Sequence, residues 1–163
     1  MGLDVIVVSG ITAGLAAATS IGEPLTHRDH AHGVIFVTGH ARRDAEAGAL
    51  GATPTSYRSP HWPTLAAAAA EGLTLVIYMG IATVESLQCG LATALPPNTP
   101  VAIVQHASLP QQRSVLCTLG DLATTVQREA IGSPAIIVVG DVVKASLLLA
   151  ERAAQPERAR RAS

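Results

Sequence analysis

The chain has 163 residues, 48% of them hydrophobic but only 2% aromatic, with a formal net charge of -1. That length suits one domain with one core, and that apolar content excludes a globally disordered chain. The balanced charge, with Lys144 the only lysine, gives no electrostatic case for nucleic acid, and no apolar run reaches the ~20 residues of a transmembrane helix.

Taken in chain order, the first apolar run is Asp4–Val8 (DVIVV), a predicted strand, followed by a small-residue helix over Thr12–Ser20. A second strand is expected at Val34–Thr38. The segment Ala41–Pro63 is rich in turn formers and has no period, so it reads as a long loop, functional or disordered. A helix over Thr64–Glu71, a strand at Thr74–Tyr78 and a helix over Thr83–Ala94 come next. A strand at Val101–Gln105, a helix over Asp121–Ala130, a strand at Ala135–Val139 and a last helix over Val143–Ala153 complete the series. The tail, 154–163, is polar and basic and reads as a frayed end. The strand runs are continuous in Val, Ile and Leu rather than alternating, which predicts cover on both faces. Strands alternating with helices predict an α/β fold: a layered α/β/α domain with a mostly parallel sheet of about five strands.

Cys89 and Cys117 are too few and too far apart for a disulfide framework, so buried or idle reduced thiols are expected. The first residues lack a basic n-region, and a soluble, cytoplasmic protein is expected.

In open parallel sheets, ligands bind beyond the carboxyl ends of the strands. The residues there are Ser9-Gly10-Ile11-Thr12-Ala13-Gly14, Thr38-Gly39-His40, Met79-Gly80 and His106-Ala107-Ser108. Small residues let a flat ligand approach the backbone, and Thr12 is placed to cap the helix that follows. Four such turns on one rim predict a ligand crevice. The dinucleotide fingerprint Gly-x-Gly-x-x-Gly, the P-loop and the Gly-x-Ser-x-Gly elbow do not occur.

The stretch "PLTHRDHAHG", Pro24–Gly33, holds His27, His30 and His32 around Arg28 and Asp29. A strand would align His30 with His32, and a helix would align His27 with His30, but neither aligns all three. Arg28 would repel a cation beside Asp29. No metal site is therefore predicted. Polar contact with an anionic ligand and a surface loop without function both remain open.

Several segments resemble the uroporphyrinogen-III C-methyltransferases and the methylase half of sirohaem synthases, within the tetrapyrrole methylase family. They are "GITAGLAAATSIGEPLTHRDHAHGVIFVTGH" (Gly10–His40), "LTLVIYMG" (Leu73–Gly80), "PVAIVQHASLPQQR" (Pro100–Arg113) and "IGSPAIIVVGDVV" (Ile131–Val143). Trp62 and Leu65 resemble a Trp-x-x-Leu of that family. The resemblance runs from Val5 to Val143 and implies its C-terminal domain only, over residues 1–153. The family's N-terminal Gly-x-Gly-Pro-Gly-Asp and Gly-Gly-Asp-Pro loops have no counterpart, and its catalytic acid and base belong to that absent N-terminal half. Ser9 stands where the family usually has proline.

The resemblance implies S-adenosyl-L-methionine as cofactor, with S-adenosyl-L-homocysteine as product, contacted at Thr12, Ala13, Met79 and Ala107. It implies a tetrapyrrole substrate with eight carboxylates, for which Arg28, His27 and His40 are the candidates, with Arg42 or Arg43 beside them. Arginine suits carboxylates because its fork donates bidentately. It also implies a homodimer and the conversion of uroporphyrinogen III to precorrin-2, for sirohaem or cobalamin, with this chain inactive alone. Two alternatives stand beside it: a non-catalytic cofactor-binding or dimerising domain, and half of a sister precorrin methyltransferase.

Overall fold

Continuous runs of Val, Ile and Leu need cover on both faces, and the strands over Leu73–Tyr78, Pro100–Gln105 and Ala135–Val139 have it, whereas Gly33–Thr38 leaves Phe36 exposed. In the computed structural model, which describes residues 6–39 and 60–144, five strands make one sheet. They are β1 (Gly33–Thr38), β2 (Leu73–Tyr78), β3 (Pro100–Gln105), β4 (Arg113–Thr118) and β5 (Ala135–Val139), in the order β1-β2-β5-β3-β4. On one face Leu75, Ile77, Val101, Ile103 and Ile137 join a core with residues of α2 (Trp62–Ala70), α3 (Val84–Leu91) and α4 (Leu122–Arg128). On the other face Val76, Ala102, Val104, Ile136 and Val138 meet Ala17 of α1 (Ala13–Ser20), with Ala31, Val142 and Val143.

The sheet is mixed, which corrects the expectation of a mostly parallel one. Only β1 and β2 pair in parallel; β2 with β5, β5 with β3, and β3 with β4 are antiparallel. A continuous apolar run reports two-sided burial and carries no information on direction. The connections decide direction. Residues 106–112 are too short a link for a crossover, so β3 and β4 form an antiparallel hairpin. The pairings leave β1, β2 and β3 pointing one way and β4 and β5 the other.

Strand membership also differs. β4 has an apolar run of only three residues, Val115–Cys117, to announce it: Arg113 and Ser114 are exposed and only Cys117 is buried. The expected strand Asp4–Val8 is not found in its described part. Ile6, Val7 and Val8 lie outside any strand and are 84%, 91% and 82% exposed.

Helix boundaries shift for local reasons. α2 begins at Trp62, inside the expected loop, because a proline is tolerated in the first helical turn. α3 follows a 3-10 turn at Ile81–Thr83 and ends at Leu91. α4 follows another at Leu119–Asp121, and Ala130 just beyond it turns left-handed at φ 50°. The rest of the expected loop, residues 41–59, lies outside the described residues, as do His40, Arg42, Arg43, the last helix beyond Lys144 and the tail.

Candidate functional site

Because β1, β2 and β3 run the same way, their carboxyl ends share one rim with the start of β5. A cavity of about 400 Å³ opens there. Val104 and Ile136 line it from β3 and β5, and Pro134 from the turn before β5. Tyr78 and Met79 come from the end of β2, His106, Ala107 and Leu109 from the β3–β4 turn, and Ala13 from the first residue of α1. The lining is mostly apolar, with the Tyr78 hydroxyl, Ser133 and His106 at hand for polar contact. This is the usual make-up of a small-molecule pocket.

Backbone conformation is unusual on this rim. Met79 (φ 51°), His106 (φ 52°) and Ser108 (φ 66°) all occupy the left-handed region without being glycine. Such residues cost energy and collect where a loop must present its backbone in a set direction. The His106 N–H donates to the carbonyl of Pro134 at 3.1 Å, tying the β3–β4 turn to the segment entering β5. Gly39 closes the other side: its N–H donates to the Tyr78 carbonyl at 2.6 Å, and a Cβ there would stand 2.8 Å from the Cα of Gly80. The ends of β1 and β2 meet backbone to backbone.

The start of α1 is held from the sheet. Thr12 does not cap the helix with its side chain, which corrects the capping role read from its position. Its hydroxyl instead hydrogen-bonds the Tyr78 hydroxyl. That same phenol oxygen accepts the N–H of Gly14 at 2.9 Å. A helix N-terminus leaves N–H groups without helical partners; here one is satisfied by a residue 64 positions away. Gly14 permits the approach. A Cβ there would meet the Tyr78 hydroxyl, Val76 Cγ1 at 2.7 Å and Phe36 Cε1 at 3.0 Å.

Of the residues singled out in the sequence, Ala13, Met79 and Ala107 line this cavity, and Thr12 touches it through Tyr78. His27 and Arg28 do not. They sit in a tight turn in which the His27 N–H donates to Ala31 O and the Ala31 N–H to His27 O, at 2.8 and 2.9 Å. The His32 N–H donates to the Gly72 carbonyl at 3.0 Å, fixing the turn at the amino ends of β1 and β2. The length of β2 separates it from the cavity, roughly 17 Å at strand rise. His27 and Arg28, the candidates for the substrate carboxylates, therefore stand apart from this cavity, because the chain enters β1 at the far end of the sheet. His40 lies outside the described residues.

Within the turn the rings of His27 and His30 stack with centroids 4.9 Å apart. His27 Nδ1 accepts the Asp29 N–H at 3.2 Å and lies 3.8 Å from the Asp29 carboxylate. Among the described residues, no three His, Cys, Asp or Glu side chains are grouped to hold a metal. Cys117 is buried, and burial, with Asp121 adding to it against Thr125 and Arg128, pushes its thiol from 9.0 up to about 11. Cys89 is exposed. Among the described residues no helix is long and apolar enough to cross a membrane.

Tyr78 and His106 were not read as site residues in the sequence. Their signal was positional, since both stand at the ends of predicted strands, where only the small neighbours were weighed.

A family model of tetrapyrrole (corrin/porphyrin) methylases matches residues 1–123. The uroporphyrinogen-III C-methyltransferase of Pseudomonas aeruginosa is 40% identical over 144 residues, covering 88% of this chain and 52% of that protein. The crystal structure of a uroporphyrin-III C-methyltransferase from Thermus thermophilus complexed with S-adenosylhomocysteine aligns with a TM-score of 0.62 at 28% identity, over 85% of this chain and 53% of that one. A cobalt precorrin-4 methyltransferase shares the fold, with a TM-score of 0.70 at 22% identity over 86% of this chain and 54% of that one. The chain spans about half the length of the uroporphyrinogen-III C-methyltransferases it matches.

Proposed function

The chain belongs to the tetrapyrrole methylase family, and from that premise we propose that its rim cavity is half of an S-adenosylmethionine site. One observation carries the reading. Ala13, Met79 and Ala107, which the family resemblance implies as cofactor contacts and which lie far apart in the chain, converge on one cavity.

The residues present fit such a ligand. About 400 Å³ lies within the range of small-molecule pockets. Val104, Ile136 and Pro134 offer a flat apolar wall for a purine, and Ala107 leaves room in front of its own backbone. The left-handed Met79 and His106 turn their peptide groups, where hydrogen bonds to ring nitrogens can form. Thr12 and Tyr78 supply hydroxyls at the α1 end for the amino-acid or ribose portion. When bound, S-adenosylmethionine supplies an electrophilic methyl group on a sulfonium. This chain's residues bind and orient it, and exclude water from one side. Holding the methyl in line with a nucleophilic carbon accounts for much of the rate in such a transfer.

The reaction so served is methylation of uroporphyrinogen III toward precorrin-2. In this reading residues 1–153 form the C-terminal domain of the enzyme, and the acid and base belong to the other half of the cleft. One observation supports a missing contact partner: Ile6, Val7, Val8 and Ile11 stand more than 80% exposed. Exposed apolar residues in one stretch mark a contact surface. A homodimer working in the cytoplasm belongs to the same reading. His27, Arg28 and His40 remain the candidates for the tetrapyrrole carboxylates in this reading.

Titration calorimetry of the chain with S-adenosylhomocysteine tests the reading. Measurable heat that Ala107→Leu abolishes, by filling the cavity, supports it. No heat at millimolar ligand refutes the half-site and favours a scaffold or dimerising domain.

A further inference from the structure

The wall residue Ala107 is flanked by two left-handed residues, His106 (φ 52°) and Ser108 (φ 66°). Neither is glycine or asparagine, so the turn does not hold this shape for conformational reasons alone. Something must offset the cost. Three hydrogen bonds span the turn. The Leu109 N–H donates to the His106 carbonyl at 3.0 Å, and the Gln112 N–H to the Leu109 carbonyl at 2.9 Å. The third comes from a side chain: Oε1 of Gln112 accepts the Ser108 N–H at 2.7 Å. It is the shortest of the three, and it fixes the residue directly after Ala107.

We propose that Gln112 is a positioning residue for the cavity: by holding Ser108 left-handed it sets the direction of the Ala107 peptide toward the bound nucleoside. The inference rests on the cofactor reading above. Gln112 touches no ligand in this account; it is absent from the cavity lining and acts through Ser108. Its amide oxygen, an acceptor, is the group that matters. The amide nitrogen is not needed for the contact, so a carboxylate of the same length can replace it.

This separates Gln112→Leu, which removes the acceptor and keeps the bulk, from Gln112→Glu, which keeps the acceptor. Losing one neutral hydrogen bond that orders a binding loop weakens affinity by about threefold to tenfold. The experiment measures S-adenosylhomocysteine affinity by calorimetry and Ser108 amide exchange by NMR in the wild type and both variants. The expected result is weaker binding and a faster-exchanging Ser108 amide in Gln112→Leu, with both restored in Gln112→Glu. A purely structural role would lower thermal stability and speed Ser108 exchange in Gln112→Leu while leaving S-adenosylhomocysteine affinity unchanged.

If the wild type binds and Gln112→Leu binds equally well, the inference fails and the cofactor reading stands. Failure of Gln112→Glu to rescue also overturns it. If the wild type gives no heat, the cofactor reading fails and this inference falls with it.

Discussion

Changing Tyr78 to phenylalanine removes one oxygen atom and leaves the ring between β2 and α1. That oxygen accepts the Gly14 N–H at 2.9 Å and bonds the Thr12 hydroxyl. Thr12 is exposed, so its hydroxyl turns to water at little cost. Gly14 is buried at the first turn of α1, and its N–H would lose its acceptor in a place water reaches poorly. An unsatisfied part-buried donor costs about 1–2 kcal/mol. For a chain of this size each kcal/mol lowers Tm by about 2–4 °C, so about 1.5 kcal/mol predicts a fall of about 3–6 °C by calorimetry or circular dichroism. The start of α1 should loosen as well, and Ala13 with it, weakening S-adenosylhomocysteine about threefold to tenfold. Combining the change with Thr12→Val should cost less than the sum of the two, since both remove the same hydroxyl pair. A Tm within about 1 °C of wild type, with unchanged affinity, would refute the cross-sheet cap.

Other outcomes follow from single contacts. Gly14→Ala should destabilise, because the about 1–3 kcal/mol of overpacking against Tyr78 and Val76 exceeds the about 1 kcal/mol gained in helix propensity; a stabilised variant in a thermal melt would show that α1 does not sit this close. At pH 8 a thiol reagent should titrate Cys89 quickly and leave Cys117 protected, since a thiol at about 11 is only roughly 0.1% ionised there; two fast equivalents in the folded chain would contradict its burial. The raised Cys117 value favours the folded state below pH 9 and is lost as pH rises from 9 toward about 11, so Cys117→Ala should flatten the stability profile over that alkaline window. Arg28→Ala should leave S-adenosylhomocysteine affinity within about twofold of wild type, as its turn lies at the other end of the sheet; a large loss in calorimetry would place the turn against the ligand.

What could be read from the residues was burial, and what could not was direction and partnership. Thr74–Tyr78 and Ala135–Val139 announce themselves because central strands covered on both faces need apolar side chains at every position. β4 does not, because an edge strand whose first residues are exposed carries Arg113 and Ser114 instead. The run over Ile6–Val8 looks identical to a core strand in composition, yet composition records only that a surface must be covered, not which segment covers it. The rim survived the error over strand direction for a definite reason. The rule that ligands bind beyond carboxyl ends needs only that the strands supplying the turns point the same way. β1, β2 and β3 do, even though β5 runs against them between β2 and β3. The place of the histidine turn was not legible, because spacing tells which side chains share a face, not which end of the sheet the turn occupies. Tyr78 shows the remaining limit. Its hydroxyl caps a helix 64 residues earlier in the chain, so only the fold could bring acceptor and donor together. Thr12, the local residue that capping rules would select, is held by the same phenol, which leaves its position on the rim dependent on β2 rather than on α1.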